Sequence, residues 1–136
     1  MTNQLHSTSP NIQQPDSYAI AADEIWDGTS TNSTPNLAVI IDGEKIQDVM
    51  PTNMLPDSMN TIKLPNCTLL PGLIDAHVHY SSVMGPSFLS AGVTTVRDVG
   101  NDLHWILKQR AFNEINKDSG PTIICCGHLQ DGPVKY

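Results

Sequence analysis

Basic side chains are scarce in this sequence: seven Lys and Arg stand against fourteen Asp and Glu, a formal net charge of −7. The carboxylates are spread from Asp16 to Asp131 with no acidic block. A phosphate-rich partner needs a cationic face, so nucleic acid and anionic membrane are not expected as partners. Small cationic ligands and metals stay open. Long apolar runs are missing too, and none approaches the roughly 18 residues of a membrane span. The opening stretch MTNQLHSTSPNIQQPDS has neither the basic start nor the apolar core of a secretory leader. Cysteine is limited to Cys67, Cys125 and Cys126, an odd count without a CxxC pair. Neighbours on a strand point to opposite faces and do not readily bridge, so we expect neither a disulfide framework nor a cysteine zinc cluster. The thiols are expected to be reduced and mostly buried, which suits a cytoplasmic protein.

What is present changes character along the chain. Residues 1–17 are rich in Asn, Gln, Ser, Thr and Pro, including the lone His6, and are expected to be a disordered lead-in. From 18 to 70 the pattern is short strands broken by turns, a small β-rich module. YAIAADEIWDG gives a strand ending at the Asp27-Gly28 turn, and Leu37 to Ile41, Asp42-Gly43 and Lys45 to Met50 read as a hairpin. Pro51 and Pro56 break the loop that follows, and TIKLPNCTLLPG runs extended. Residues 71–136 alternate strand and helix. Strands are predicted over Leu73–Tyr80, Gly92–Val99 and Thr122–Gly127, with a helix of about two turns between the first two. A longer helix follows, with Asn101 as its N-cap and Leu103, Ile106, Leu107, Ala111 and Ile115 at helical spacing, ended by Gly120-Pro121. Strand–helix–strand–helix–strand predicts parallel pairing and the start of an α/β fold. Trp105, Ile106 and Leu107 are expected to pack the helix on the sheet.

The stretch that suggests chemistry is PGLIDAHVHY, Pro71 to Tyr80. Residues two apart on a strand share a face, which would set Asp75, His77 and His79 on one side and Ala76, Val78 and Tyr80 on the other. Two imidazoles at that spacing can give one metal ion a nitrogen each, while their other nitrogens need acceptors behind them. An isolated HxH is weak, and a single histidine is more often structural. The Pro-Gly entry, the apolar strand and the Asp75 register strengthen it.

LPGLIDAHVHY followed by AGVTTVRDVG resembles the N-terminal part of the amidohydrolase superfamily, near the imidazolonepropionase-like and cyclic-amide-hydrolase branches. IWDG, AVIIDGEKI and TLLPGLIDAH resemble the small β-sandwich piece preceding the barrel there, so the likeness runs from about Tyr18 to Gly127. It implies part of a small β-sandwich followed by about three strands of an incomplete (β/α)₈ TIM-type barrel, whose complete form takes about 250 residues. It also implies a metal-dependent hydrolase of non-peptide C–N bonds such as amides or cyclic amides. The site would hold one or two divalent ions, usually zinc, with His77 and His79 as metal ligands and a small-molecule substrate in the complete enzyme.

Family positions from later strands have no match here: a bridging lysine or acid, two further histidines and the aspartate that acts as general base. No catalytic residue is therefore assigned. His104 is expected on an exposed helix face and His128 after the third strand, neither in a matching position. Arg97 and Asp98 alternate across their strand and are expected to serve polar networks, the alternative for Asp98, at the strand's end, being a contact behind a ligand or to substrate. Only a dozen residues separate His79 from Gly92, a short crossover that leaves the substrate class open. A catalytic zinc normally has three protein ligands, so this chain alone is expected to be inactive. The missing strands would come from the rest of a longer chain, another polypeptide or self-association. The alternative is a shortened, non-catalytic relative acting as a binding or oligomerising module. A third alternative keeps both histidines purely structural.

Overall fold

The computed structural model describes residues 17–128. The expected lead-in, apart from Ser17, lies outside the described residues, as do His6 and the tail beyond His128. The chain divides into two compact units after Pro71.

The first unit is built on β1 (Ser17–Ile25), which has partners on both edges. The two-residue β2 (Thr34–Pro35) and β3 (Leu37–Asp42) run antiparallel to it. β3 turns at Asp42-Gly43, where Gly43 has φ +57°, into β4 (Lys45–Pro51), as the hairpin signal predicts. The other edge of β1 takes β5 (Thr61–Leu69) in parallel, making a five-stranded sheet. Its register shifts between Ala22 and Glu24. Nearby, Asn66 takes φ +58° and its N–H donates to Asp23 Oδ2 at 2.9 Å. Ala19, Ala38 and Ile40 are the buried centre, with Met50, Leu55 and Met59 packed around them.

The second unit is a three-stranded parallel sheet of β6 (Leu73–Val78), β7 (Val93–Asp98) and β8 (Thr122–Cys125), with β7 in the middle. The first crossover holds a 3-10 turn and the six-residue α1 (Gly85–Ser90); the second holds α2 (Leu103–Ile115). Val78, Tyr80, Val96, Ile106 and Ile123 form the core, with Phe88, Val93, Trp105 and Cys125 against it. This is the packing expected of Trp105 and Ile106.

β6 stops at Val78 and β8 at Cys125, short of the predicted Tyr80 and Gly127, and two details of α2 also differ from expectation. The N-cap of α2 is Asp102, whose Oδ1 accepts from Trp105 N–H at 2.8 Å. Asn101 is drawn away because its amide finds acceptors in Asp98 and Tyr80. The buried stripe of α2 also departs from the apolar spacing. Ala111 and Ile115 are exposed, whereas Asn113 is buried because its Nδ2 donates to Tyr80 Oη and to the Pro121 carbonyl. Among the described residues no helix is long and apolar enough to cross a membrane.

Candidate functional site

Parallel strands finish on one edge of their sheet, and the polar side chains of the second unit gather there. His77 lies at the end of β6 with His79 just past it, Asp98 ends β7, and Cys125 ends β8. The two imidazoles meet edge to face, with ring centroids 5.9 Å apart and planes at 76°. Both are exposed, while Val78 and Tyr80 beside them are buried in the core. The alternation expected for the histidines and their apolar neighbours therefore holds from Val78 onward.

It does not extend back to Asp75. Asp75 pairs with the buried Val96, and Val78 with the buried Asp98. Between these pairs β6 advances three residues against two on β7, so the two-residue period is interrupted. Asp75 faces the same side as Val96, and its Oδ1 accepts the His77 backbone N–H at 3.1 Å.

His79 Nδ1 lies 3.0 Å from the Gly100 carbonyl oxygen. A carbonyl only accepts, so Nδ1 carries the proton. In the neutral ring this leaves the lone pair on Nε2, a nitrogen through which an imidazole can bind a metal. The acceptor belongs to a tightly bonded turn. Asp98 is fully buried. Its Oδ2 accepts from Tyr80 N–H and Asn101 Nδ2, both at 2.8 Å, and its Oδ1 from Gly100 N–H at 3.2 Å. Asn101 Nδ2 also donates to the Tyr80 carbonyl at 2.9 Å. The polar network expected of Asp98 also takes in Asn101, which the "DVGN" after β7 could have signalled, and Gly100, which enters through backbone groups that no residue type announces.

The remaining candidates stand apart. His104 is exposed on α2, as expected, and His128 is exposed beyond β8. Arg97 Nε donates to Cys126 Sγ at 3.1 Å on the exposed side of the sheet. The expectation of mostly buried thiols fails: Cys67 and Cys126 are exposed and Cys125 is half-buried, all three unbridged. Cys67 lies on β5, which among the described residues is paired only with β1, and Cys126 follows β8 on the side without helices. Burial pushes the Cys125 thiol up, with Arg110 opposing and Asp98 adding to the effect. Among the described residues no three His, Cys, Asp or Glu side chains form a group able to hold a metal. A hollow of about 970 Å³ on the first unit, lined by Ala21, Asp23, Asn36, Leu55, Met59 and Lys63 among others, contains no histidine.

No family model matches the chain, and no curated protein matches it either. Solved structures do. A Xaa-Pro dipeptidase with methionine bound in its active site superposes with a TM-score of 0.73 at 27% identity, over 83% of this chain and 34% of the dipeptidase. Molinate hydrolase gives 0.73 at 23% identity, over 84% of this chain and 30% of its own. An amidohydrolase gives 0.69 at 20%, over 83% and 32%. The chain thus spans about a third of the length of these structures. The mixed sheet-and-helix architecture matches part of the amidohydrolase fold, and the chain resembles an N-terminal part of amidohydrolase-family enzymes.

Proposed function

We propose that this chain is the N-terminal portion of a metal-dependent hydrolase of C–N bonds, and that His77 and His79 are two of its metal ligands. The observation that carries the reading is the His79–Gly100 contact, which puts the proton on Nδ1 and the lone pair on Nε2. His77 lies alongside at a centroid distance of 5.9 Å. These two histidines fit part of a zinc donor set, and further ligands would come from residues beyond those described. In this reading the first unit belongs to a small β-sandwich, and β6 to β8 open a (β/α)₈ barrel with the site at its C-terminal rim. One or two divalent ions, zinc foremost, would polarise a substrate carbonyl and supply a nucleophilic water near neutral pH. His77 and His79 would anchor, Gly100 would orient His79, and the buried side of the strands would supply rigidity. The substrate class is small amides and cyclic amides. The likeness to a Xaa-Pro dipeptidase supports adding dipeptides, a departure from the non-peptide bonds that the sequence resemblance implies. The finished site would need the missing strands, supplied in line or by another polypeptide. A soluble, cytoplasmic setting goes with this reading.

The test is zinc uptake by the metal-free chain, followed by calorimetry. Stoichiometric zinc in the parent, lost in the His77→Ala, His79→Ala double variant, supports the assignment. Zinc uptake unchanged by the double substitution removes it.

A second reading, a short non-catalytic binding or oligomerising module, is favoured by the bare side of the second sheet, where Ile74 is 70% and Ile124 52% exposed. The intact mass of the protein from its source separates the two. A mass several-fold above that of 136 residues favours the hydrolase, and a matching mass favours the module.

A further inference from the structure

We propose that Asp98 is a positioning residue that sets the tautomer of His79; this rests on the metal reading above. A carboxylate is costly to hold out of water. Asp98 is fully buried, and such a group persists only when its oxygens are well bonded. Two of the three groups that bond it bracket His79. Tyr80 N–H, on Oδ2, belongs to the residue directly after the histidine, and Gly100 N–H, on Oδ1, belongs to the residue whose carbonyl receives Nδ1–H. Asn101 closes the ring of contacts, with one amide nitrogen donating to Asp98 Oδ2 and to the Tyr80 carbonyl. One carboxylate thereby fixes both the backbone that carries the imidazole and the backbone that orients it. If the Gly100 carbonyl moved, the ring would also populate the tautomer protonated on Nε2, which has no lone pair to give a metal there.

A purely architectural Asp98 would support the fold without selecting a tautomer. Long-range ¹H–¹⁵N spectra of the metal-free, ¹⁵N-labelled chain at about pH 8, above the ordinary imidazole range, separate the two roles. The parent is expected to show His79 protonated on Nδ1. Asp98→Asn turns one acceptor oxygen into a donor; the expected result is a mixture of His79 tautomers, no change at exposed His104, and zinc affinity lower by about 10- to 100-fold. Asn101→Ala keeps the carboxylate and its two amide partners, so it guards against loss of folding in the first variant, and a partial shift at His79 is expected. A His79 tautomer unchanged in folded Asp98→Asn overturns the proposal, as does one unchanged in Asn101→Ala should the first variant not fold. If the parent binds zinc and neither variant moves His79, the positioning role falls alone. If the tautomer shifts but the parent takes no zinc, the metal reading falls and the control of the ring stands.

Discussion

The Tyr80 hydroxyl accepts a hydrogen bond from Asn113 Nδ2 at 3.1 Å, tying the residue after the histidine pair to the buried side of α2. Two glycines make room for the contact. A Cβ on Gly120 would fall 2.6 Å from Tyr80 Oη and 2.7 Å from Asn113 Nδ2. On Gly85 it would fall 2.1 Å from the Ser119 carbonyl oxygen and 2.8 Å from Tyr80 Oη.

Alanine at either glycine should therefore destabilise the second unit by about 1–3 kcal/mol, the usual range for overpacking. Gly85→Ala is the more severe because its closest neighbour is backbone. Tyr80→Phe should cost only about 1 kcal/mol, since Asn113 keeps the Pro121 carbonyl as acceptor. Urea midpoints followed by circular dichroism check the order, and a Tyr80→Phe loss larger than Gly85→Ala would contradict it.

Acid should loosen the turn after β1. Asp27 accepts backbone N–H groups from Ser30 at 2.7 Å and Thr29 at 2.8 Å, and both hydroxyls as well. These bonds, Ser30 first, hold its carboxyl well below the ordinary carboxylate range. The unfolded chain takes up that proton more readily. The contribution is therefore full above about pH 4 and fades as pH falls through the depressed folded value. Asp27→Asn should lower stability at neutral pH, and its deficit should shrink towards acid. Trp26 reports on the turn, since its Nε1 donates to the Ser30 carbonyl at 2.7 Å. A deficit constant with pH would exclude the charge as its origin.

The three thiols should alkylate at different rates. Cys67 and Cys126 are exposed, while Cys125 is half-buried with its thiol pushed up, so less of it is thiolate at a given pH. Timed iodoacetamide labelling read by peptide mass spectrometry should find Cys125 last. Equal rates would mean that the strand end opens faster than the reagent reacts.

The helix-free side of the parallel sheet should promote self-association. Ile74 pairs with Thr95 and Ile124 with Arg97, which places both isoleucines on the same side as the Arg97–Cys126 contact. Ile74→Ser with Ile124→Ser should shift sedimentation towards monomer without changing the circular dichroism spectrum. An unaltered distribution would send attention to the strand edges instead.

Much of this architecture is legible in the letters because the signals are local. Asp42-Gly43 between two apolar runs announces the hairpin, and the apolar stretches after Leu70 announce three strands with helices between them. The parallel pairing of β1 with β5 is not announced, because nothing in either segment names a partner so far along the chain. Asn101 and Asp102 are both good caps by type; the choice between them is made by Asp98, a buried acceptor that only the folded chain brings near. The histidine pair can be seen directly. Its orienting partner cannot, since the Gly100 carbonyl is a backbone group that any residue type would provide.

The pairing of β1 also bears on how the first unit assembles over time. Ala19 meets Thr61 about forty residues later, whereas β3 and β4 need only close a tight turn. During synthesis, the hairpin can form while one edge of β1 is still bare. The parallel closure by β5 is then expected to be the slower step, and a chain stalled before it would present the unpaired N–H and C=O groups of β1 around Ile20 to any passing strand.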